Sequence, residues 1–237
     1  MGPSLIMAVR HGESAVNAAY TEASRTNAAV AFPGGNADVP LTELGRAQAA
    51  AVGRWLGGLP AQRRPQVVWC SPYQRTMETW RIAGEQIGRM GEPVPETRMD
   101  QRLIDRVMGE LELMNPQAIG ERFPEEARRC KEVGEHAYRP PGGESFGDVA
   151  ARLRALASDL NGDADASRVL IVAHNAVVTV LRHVLEADDD TDMTGIAAFG
   201  PVANASVSTW ERRRQRLTLA EFSAIGHLRH GKAVPTW

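Results

Sequence analysis

Arg10 and His11, followed at once by Gly12, stand where the apolar run Leu5 to Val9 ends. Two groups that can both be cationic are a poor choice for packing there, so their spacing points to chemistry. Two more apolar runs end in the same manner. "PQVVWCSP" delivers Ser71 with Arg75 one turn on, and "SRVLIVAHN" delivers His174 and Asn175. If these runs are parallel neighbours in a sheet, two guanidiniums and two imidazoles meet in one crevice at the strands' carboxyl ends, where α/β sheets collect functional groups. Guanidinium forks match the oxygens of a phosphoryl group, and backbone N–H groups at helix starts add to such an anion site. A neutral imidazole can attack phosphorus, splitting one hard displacement into two easier ones through a phosphohistidine. Cations around His11 disfavour its protonation and keep a lone pair available. Gly12 is expected to leave room for the phosphate or to permit the turn. Each residue alone has an ordinary reading: a satisfied strand-end or core histidine, a surface helix arginine. The repetition at three strand ends carries the argument. His136, His183, His227 and His230 lack that pattern and read as ordinary histidines.

The elements that must position these groups follow from periodicity. Thr42 is a plausible N-cap for a helix to Leu59, with Leu44, Ala47, Ala51 and Leu56 at roughly helical spacing. Tyr73 to Ile87 reads as a helix, "RMDQRL" as a short edge strand, and the charged stretch to about Arg139 as irregular. "PPGGES" breaks the chain. Ser145 can then cap a helix carrying Val149, Leu153, Leu156 and Leu160 along one side. A helix through Leu185 follows His174, and strands around Ala205–Trp210 and Leu217–Phe222 flank the basic run 211–216, read as a solvated turn. Strands alternating with amphipathic helices predict a three-layer α/β/α sandwich around a mostly parallel sheet. The reading is one domain over 1–237, with a flap at 18–36 that lines the pocket with apolar residues, an irregular cap at 104–140 and a tail at 223–237.

The chain's 237 residues are ample for a substantial core, and a net charge of −2 argues against nucleic acid or an anionic membrane as partner. Two cysteines cannot build a paired-thiolate metal site, and Cys70 reads as a small core residue. Nothing before Arg10 has the form of a charged leader or a membrane span, so the expectation is a cytoplasmic protein.

Arg10-His11-Gly12-Glu13 with Ser14 and Asn17, then "DVPLT", "SPYQRT", "PPGGES" and "VAHN", resembles the histidine phosphatase superfamily in order and over nearly the whole chain. The resemblance implies a phosphoglycerate mutase-like fold and a reaction without cofactor or metal on a small phosphorylated substrate. It implies that His11 is the nucleophile, that Arg10, Arg75 and His174 hold the phosphoryl oxygens, and that Asn17 donates to the phosphate. Asn204 matches a position that shapes the phosphate site, while Glu13 reads equally as a helix-start acid. The family's usual proton donor is a Glu; in "RLIDRVMGELE" that place is taken by Asp105, one methylene shorter, with Glu110 and Glu112 as the other candidates. Asn175 replaces the commoner small or acidic residue and can itself donate to an anion.

Hydrolysis and mutase-type transfer remain distinguishable readings. A mutase must hold a second phosphate and needs further cations, and Arg128-Arg129 stands where mutases of the family carry an arginine pair. Its acidic neighbours in "FPEEARRCKE" favour a solvated helix face, hence phosphomonoester hydrolysis. A catalytically weak phosphate-binding protein is a third reading. A metallohydrolase is a fourth, against which the absence of HxH, HxxxH or DxH spacing counts.

Overall fold

In the computed structural model, which describes residues 2–162, 167–186, 200–214, 216–229 and 233–237, six strands form one sheet. They are β1 (Leu5–Arg10), β2 (Val67–Cys70), β3 (Glu96–Met99), β4 (Arg168–Ala173), β5 (Val207–Arg213) and β6 (Arg216–Ala224), in the order β3-β2-β4-β1-β5-β6. The first four are parallel; β5 and β6 run antiparallel at one side. The helices are α1 (Ala15–Thr26), α2 (Glu43–Gly57), α3 (Gln74–Arg89), α4 (Pro116–Arg122), α5 (Pro124–Val133), α6 (Phe146–Gly162) and α7 (Asn175–Glu186).

Strand β1 explains the layering. Its side chains alternate between faces, and every one of its residues is buried. Leu5, Met7 and Val9 pack with Ala51, Val52 and Leu56 of α2 and Trp80, Ala83 and Ile87 of α3. Ile6 and Ala8 pack on the other face with Val149, Leu153, Leu156 and Leu160 of α6 and Val177, Val178 and Leu181 of α7. A strand buried on both faces has to read as a continuous apolar run, as it does.

Register then aligns the polar ends. Arg10 pairs with Ala173 and Cys70 with Val172, so the residues that follow, His11, Ser71 and His174, leave the sheet side by side. The expected caps are present: Thr42 accepts from Gly45 N at 3.0 Å, and Ser145 Oγ accepts from Asp148 N at 3.3 Å while Asp148 Oδ2 accepts from Ser145 N at 2.8 Å.

Three expectations change. The edge strand lies earlier, at 96–99, because the Asp100 side chain accepts from Arg102 N at 2.7 Å and turns the chain out of the ladder. The stretch 104–140 is not irregular throughout but holds α4 and α5, begun by Asn115 as N-cap and by Pro116 and Pro124 in their first turns. Helix α5 buries no residue and is held by Arg128 with Glu125 and Glu132 and by Arg129 with Glu126, so it has no apolar stripe to betray it. The stretch 18–36 is helical to Thr26, capped by Ser14 and Asn17 in a reciprocal box.

The chain's far end packs back on the sheet. Ala233 is buried, and Thr236 O accepts from Asn204 N at 2.7 Å. His230 lies outside the described residues. No helix among those described is long and apolar enough to cross a membrane.

Candidate active site

A cavity of about 290 Å³ opens at the carboxyl ends of β1, β2 and β4, and its lining includes Arg10, His11, Asn17, Asn36, Arg75, Asp105 and Asn175. His11 is 3 % exposed. Its Nδ1 lies 2.7 Å from Gly12 O, a contact that requires the proton on Nδ1 because a carbonyl only accepts. Nε2 is therefore unprotonated, and its lone pair accepts from Arg75 Nε at 3.2 Å. Burial first, then Arg75, His174 and Arg10, hold the His11 pKa well below its ordinary 6.5. The ring stays neutral at neutral pH, the form in which an imidazole can attack phosphorus.

Around that nitrogen stand cations and buried polar atoms without partners among the described residues. Arg75, on the first turn of α3, also donates to Asn36 O at 2.7 Å and to Asp105 Oδ2 at 3.2 Å. Arg10 donates to Val202 O, and burial brings its pKa down to about 10, which leaves it charged. His174 is held by Ser71 Oγ, 2.8 Å from its Nε2, and its ring meets that of His11 edge-on at 5.3 Å. His174 Nδ1 and Arg10 Nε are buried without hydrogen-bond partners among the described residues. Such groups are costly unless a ligand takes them up, and phosphoryl oxygens are suited to do so. Asp105 Oδ2 is 3.7 Å from His174 Nδ1, so a carboxyl stands beside the place a phosphoryl group would occupy.

Residues 6–224 match the family model of the histidine phosphatase superfamily, branch 1. The chain belongs to this superfamily. It is 32% identical over 189 residues to a 2,3-bisphosphoglycerate-dependent phosphoglycerate mutase of Gloeobacter violaceus, covering 77% of this chain and 76% of that one. It is 29% identical over 209 residues to a glucosyl-3-phosphoglycerate phosphatase of Mycobacterium tuberculosis, covering 85% and 82%. A solved structure of the mycobacterial glucosyl-3-phosphoglycerate phosphatase with VO3 superposes with a TM-score of 0.71 at 27% identity, over 93% of this chain and 99% of that one.

Within this histidine phosphatase, two sequence-derived residues, Gly12 and Asn204, stand elsewhere than expected, while Asn17 and Asn175 line the cavity. Gly12 does not line the cavity; a Cβ there would lie 2.4 Å from Gly45 O, so its smallness serves the contact between the turn after β1 and the start of α2. Asn204 sits behind the site: its Nδ2 donates to His11 O at 3.2 Å and to Asn17 Oδ1 at 3.1 Å, which makes it a positioning residue. Asn17 lines the cavity, though its Oδ1 also serves the α1 cap. Asn175 opens α7, lines the cavity and accepts from Val202 N at 3.2 Å.

Among the acids, Glu13 turns away to accept from Thr42 Oγ1 at 2.8 Å. Glu110 is exposed and outside the cavity lining. Glu112 does line it; Asn36 Nδ2 and Met108 N donate to it at 2.6 and 2.9 Å, and burial pushes its pKa up. Asn36, which couples Glu112 to Arg75, had no signal in the sequence beyond a turn-rich loop. Gln48 was equally silent, yet its Oε1 accepts from Glu13 N at 2.7 Å while its Nε2 donates to Val234 O at 2.8 Å. His183 is buried on α7, and His227 lies against Trp55 with its Nε2 2.8 Å from Ala205 O. No group of three or more His, Cys, Asp or Glu suited to a metal occurs among the described residues.

Burial of neutral histidines makes stability depend on pH with a definite sign. His11 and His174 titrate well below 6.5 in the folded chain, and burial also lowers His227. The unfolded chain regains pKa values of about 6.5, so below that pH it binds more protons than the folded one. Stability is therefore complete above about pH 7 and is lost as pH falls from about 6.5 toward the folded values. Thermal melts are expected to show a level melting temperature above neutrality and a decline toward pH 5; a rise on acidification in that window contradicts the neutral-pair assignment.

Proposed function

We propose that this histidine phosphatase is a metal-independent hydrolase of small phosphate monoesters in the cytoplasm, working through a phosphohistidine on Nε2 of His11. In the first step the Nε2 lone pair attacks phosphorus and the ester P–O bond breaks. Arg10, Arg75 and His174 hold the phosphoryl oxygens, and Asp105 gives its proton to the leaving oxygen. Gly12 O keeps the Nδ1 proton of the resulting imidazolium. In the second step Asp105 takes a proton from water, whose oxygen attacks phosphorus as the P–N bond breaks. Asp105 lies 3.2 Å from Arg75, within reach of this role despite its shorter side chain.

The observation that favours hydrolysis over mutase transfer is the charge of the outer wall. Beyond the phosphate end the cavity is lined by Val16, Tyr20, Met108, Leu113, Met114 and Phe146 with the acids Glu112 and Glu135. Arg106 is the other cation in the lining, and it donates to Glu144 O and Tyr138 O at 2.8 and 2.7 Å. Arg128 and Arg129 are exposed on α5, outside the lining and paired with that helix's own glutamates. A second phosphate would meet carboxylates there, at a Coulombic cost.

Two assays in one buffer test this. With chelator present, p-nitrophenyl phosphate is expected to be hydrolysed at the full rate, and 3-phosphoglycerate primed with its bisphosphate is expected to show no isomerisation. Isomerisation outpacing phosphate release makes the mutase reading the better one, and activity lost to the chelator removes metal independence.

A further inference from the structure

The "PPGGES" turn contributes no residue from 140 to 145 to the cavity lining, yet it touches the loop that carries Asp105 at several points. Glu144 and Arg152 form a fork-to-fork pair, Oε1 to Nε at 2.9 Å and Oε2 to Nη2 at 3.0 Å, with both side chains largely buried. Glu144 Oε2 also accepts from Val107 N at 3.0 Å, and Glu144 N donates to Val107 O at 2.8 Å. Arg152 Nη2 donates to Asp105 O at 3.2 Å, and its Nη1 donates to Arg102 O. Arg106 Nε closes the set on Glu144 O at 2.8 Å. The backbone is thus gripped at Asp105 itself and on both sides of it, by a pair anchored through Arg152 to α6, whose inner face is core.

Asp has only two side-chain torsions, so its carboxyl goes where its backbone goes. A chain using Asp where its family commonly has Glu has little reach with which to correct a displaced loop. We propose that the Glu144–Arg152 pair is a positioning device for the proton donor, holding the 102–107 loop so that Asp105 Oδ2 stays beside Arg75 and His174. The proposal rests on Asp105 being the donor. Loss of the pair should then act on the step that needs a proton and not on phosphate binding.

The test compares Glu144→Gln, Arg152→Lys and Asp105→Asn on two esters. The p-nitrophenolate of p-nitrophenyl phosphate leaves without help, whereas the less acidic phenol of phenyl phosphate needs the acid. A placed general acid contributes about 10²–10⁴-fold, and misplacement by about 1 Å can cost a large share of it. Glu144→Gln and Arg152→Lys are expected to lower kcat/KM, which reports phosphohistidine formation alone and not the shared second step, about tenfold more on phenyl phosphate than on p-nitrophenyl phosphate, with inhibition by inorganic phosphate unchanged. Asp105→Asn should show the same selectivity more strongly, and adding Glu144→Gln to it should cost nothing more on phenyl phosphate. Equal losses of kcat/KM on both esters, or none, overturn the positioning role. Additive loss in the double variant overturns it too. If Asp105→Asn itself shows no dependence on the leaving group, the donor assignment fails and the proposal falls with it. Melting temperatures of all variants keep a general loss of folding apart from these outcomes, and Arg152→Lys, which retains the charge, covers the case in which Glu144→Gln does not fold.

Discussion

His11→Ala is expected to lower kcat on p-nitrophenyl phosphate by roughly 10⁴-fold or more, the scale of removing a nucleophile whose partners act only with it. The substitution deletes the lone pair that accepts from Arg75 Nε at 3.2 Å, while Arg10, Arg75 and His174, the anion-holding groups of the proposed mechanism, remain. Phosphate affinity measured by calorimetry should therefore survive when turnover does not. Folding should survive as well, because His11 is a neutral ring crowded by two guanidiniums, and its main-chain bonds to Ala173 O and from Ala205 N do not need the side chain. Turnover within about tenfold of the native rate would mean that the phosphoryl group is accepted elsewhere, and the covalent mechanism would have to be abandoned.

Gly45→Ala has the largest expected effect on folding. A Cβ there would lie 2.0 Å from Glu13 O and 2.9 Å from Glu13 N, both backbone atoms with nowhere to go. In an unconstrained helix the same change is favourable by about 1 kcal/mol, so the contact decides the sign. Relief requires α2 to move away from the turn after β1, which strains Thr42, bonded to Glu13 O through its N at 2.9 Å and to Gly45 N through its hydroxyl at 3.0 Å. The expected cost is about 2–3 kcal/mol or more in denaturant unfolding, accompanied by a fall in kcat as His11 and Gly12 shift. Gly120→Ala provides the contrast: it lies in α4 with no atom near the added methyl, so it should be neutral or stabilising by up to about 1 kcal/mol. Equal stability of the Gly45 variant and the native chain would show that the contact is slack.

The site was legible where one residue type had to do one thing. Arg10, His11, Arg75 and His174 lie at strand ends or one turn beyond, and a parallel sheet leaves such residues no other place to gather. The Glu-to-Asp exchange at 105 was visible too, and so was the doubt about its reach. What could not be read were partnerships between distant segments. Asn36 looks like any loop residue until it meets Arg75 and Glu112, and Gln48 like any helix polar residue until it spans Glu13 and Val234. Glu144 belonged to a recognised turn, but its partners at 107 and 152 come from separate elements.

The sequence by itself determined the central strands and the polar residues at their ends, because apolar periodicity and the residues interrupting it are local properties of the chain. It also determined the small glycines, but not what they are small for: Gly12 faces Gly45 rather than the cavity, and only the packing of α2 against the turn after β1 could decide that. The polar helix α5, the choice between Glu110 and Glu112 as a wall of the cavity, and the grip on the Asp105 loop were settled in tertiary structure. Each depends on which surfaces are brought within hydrogen-bonding range across tens of residues, and side-chain pairings of that kind leave no period in the sequence.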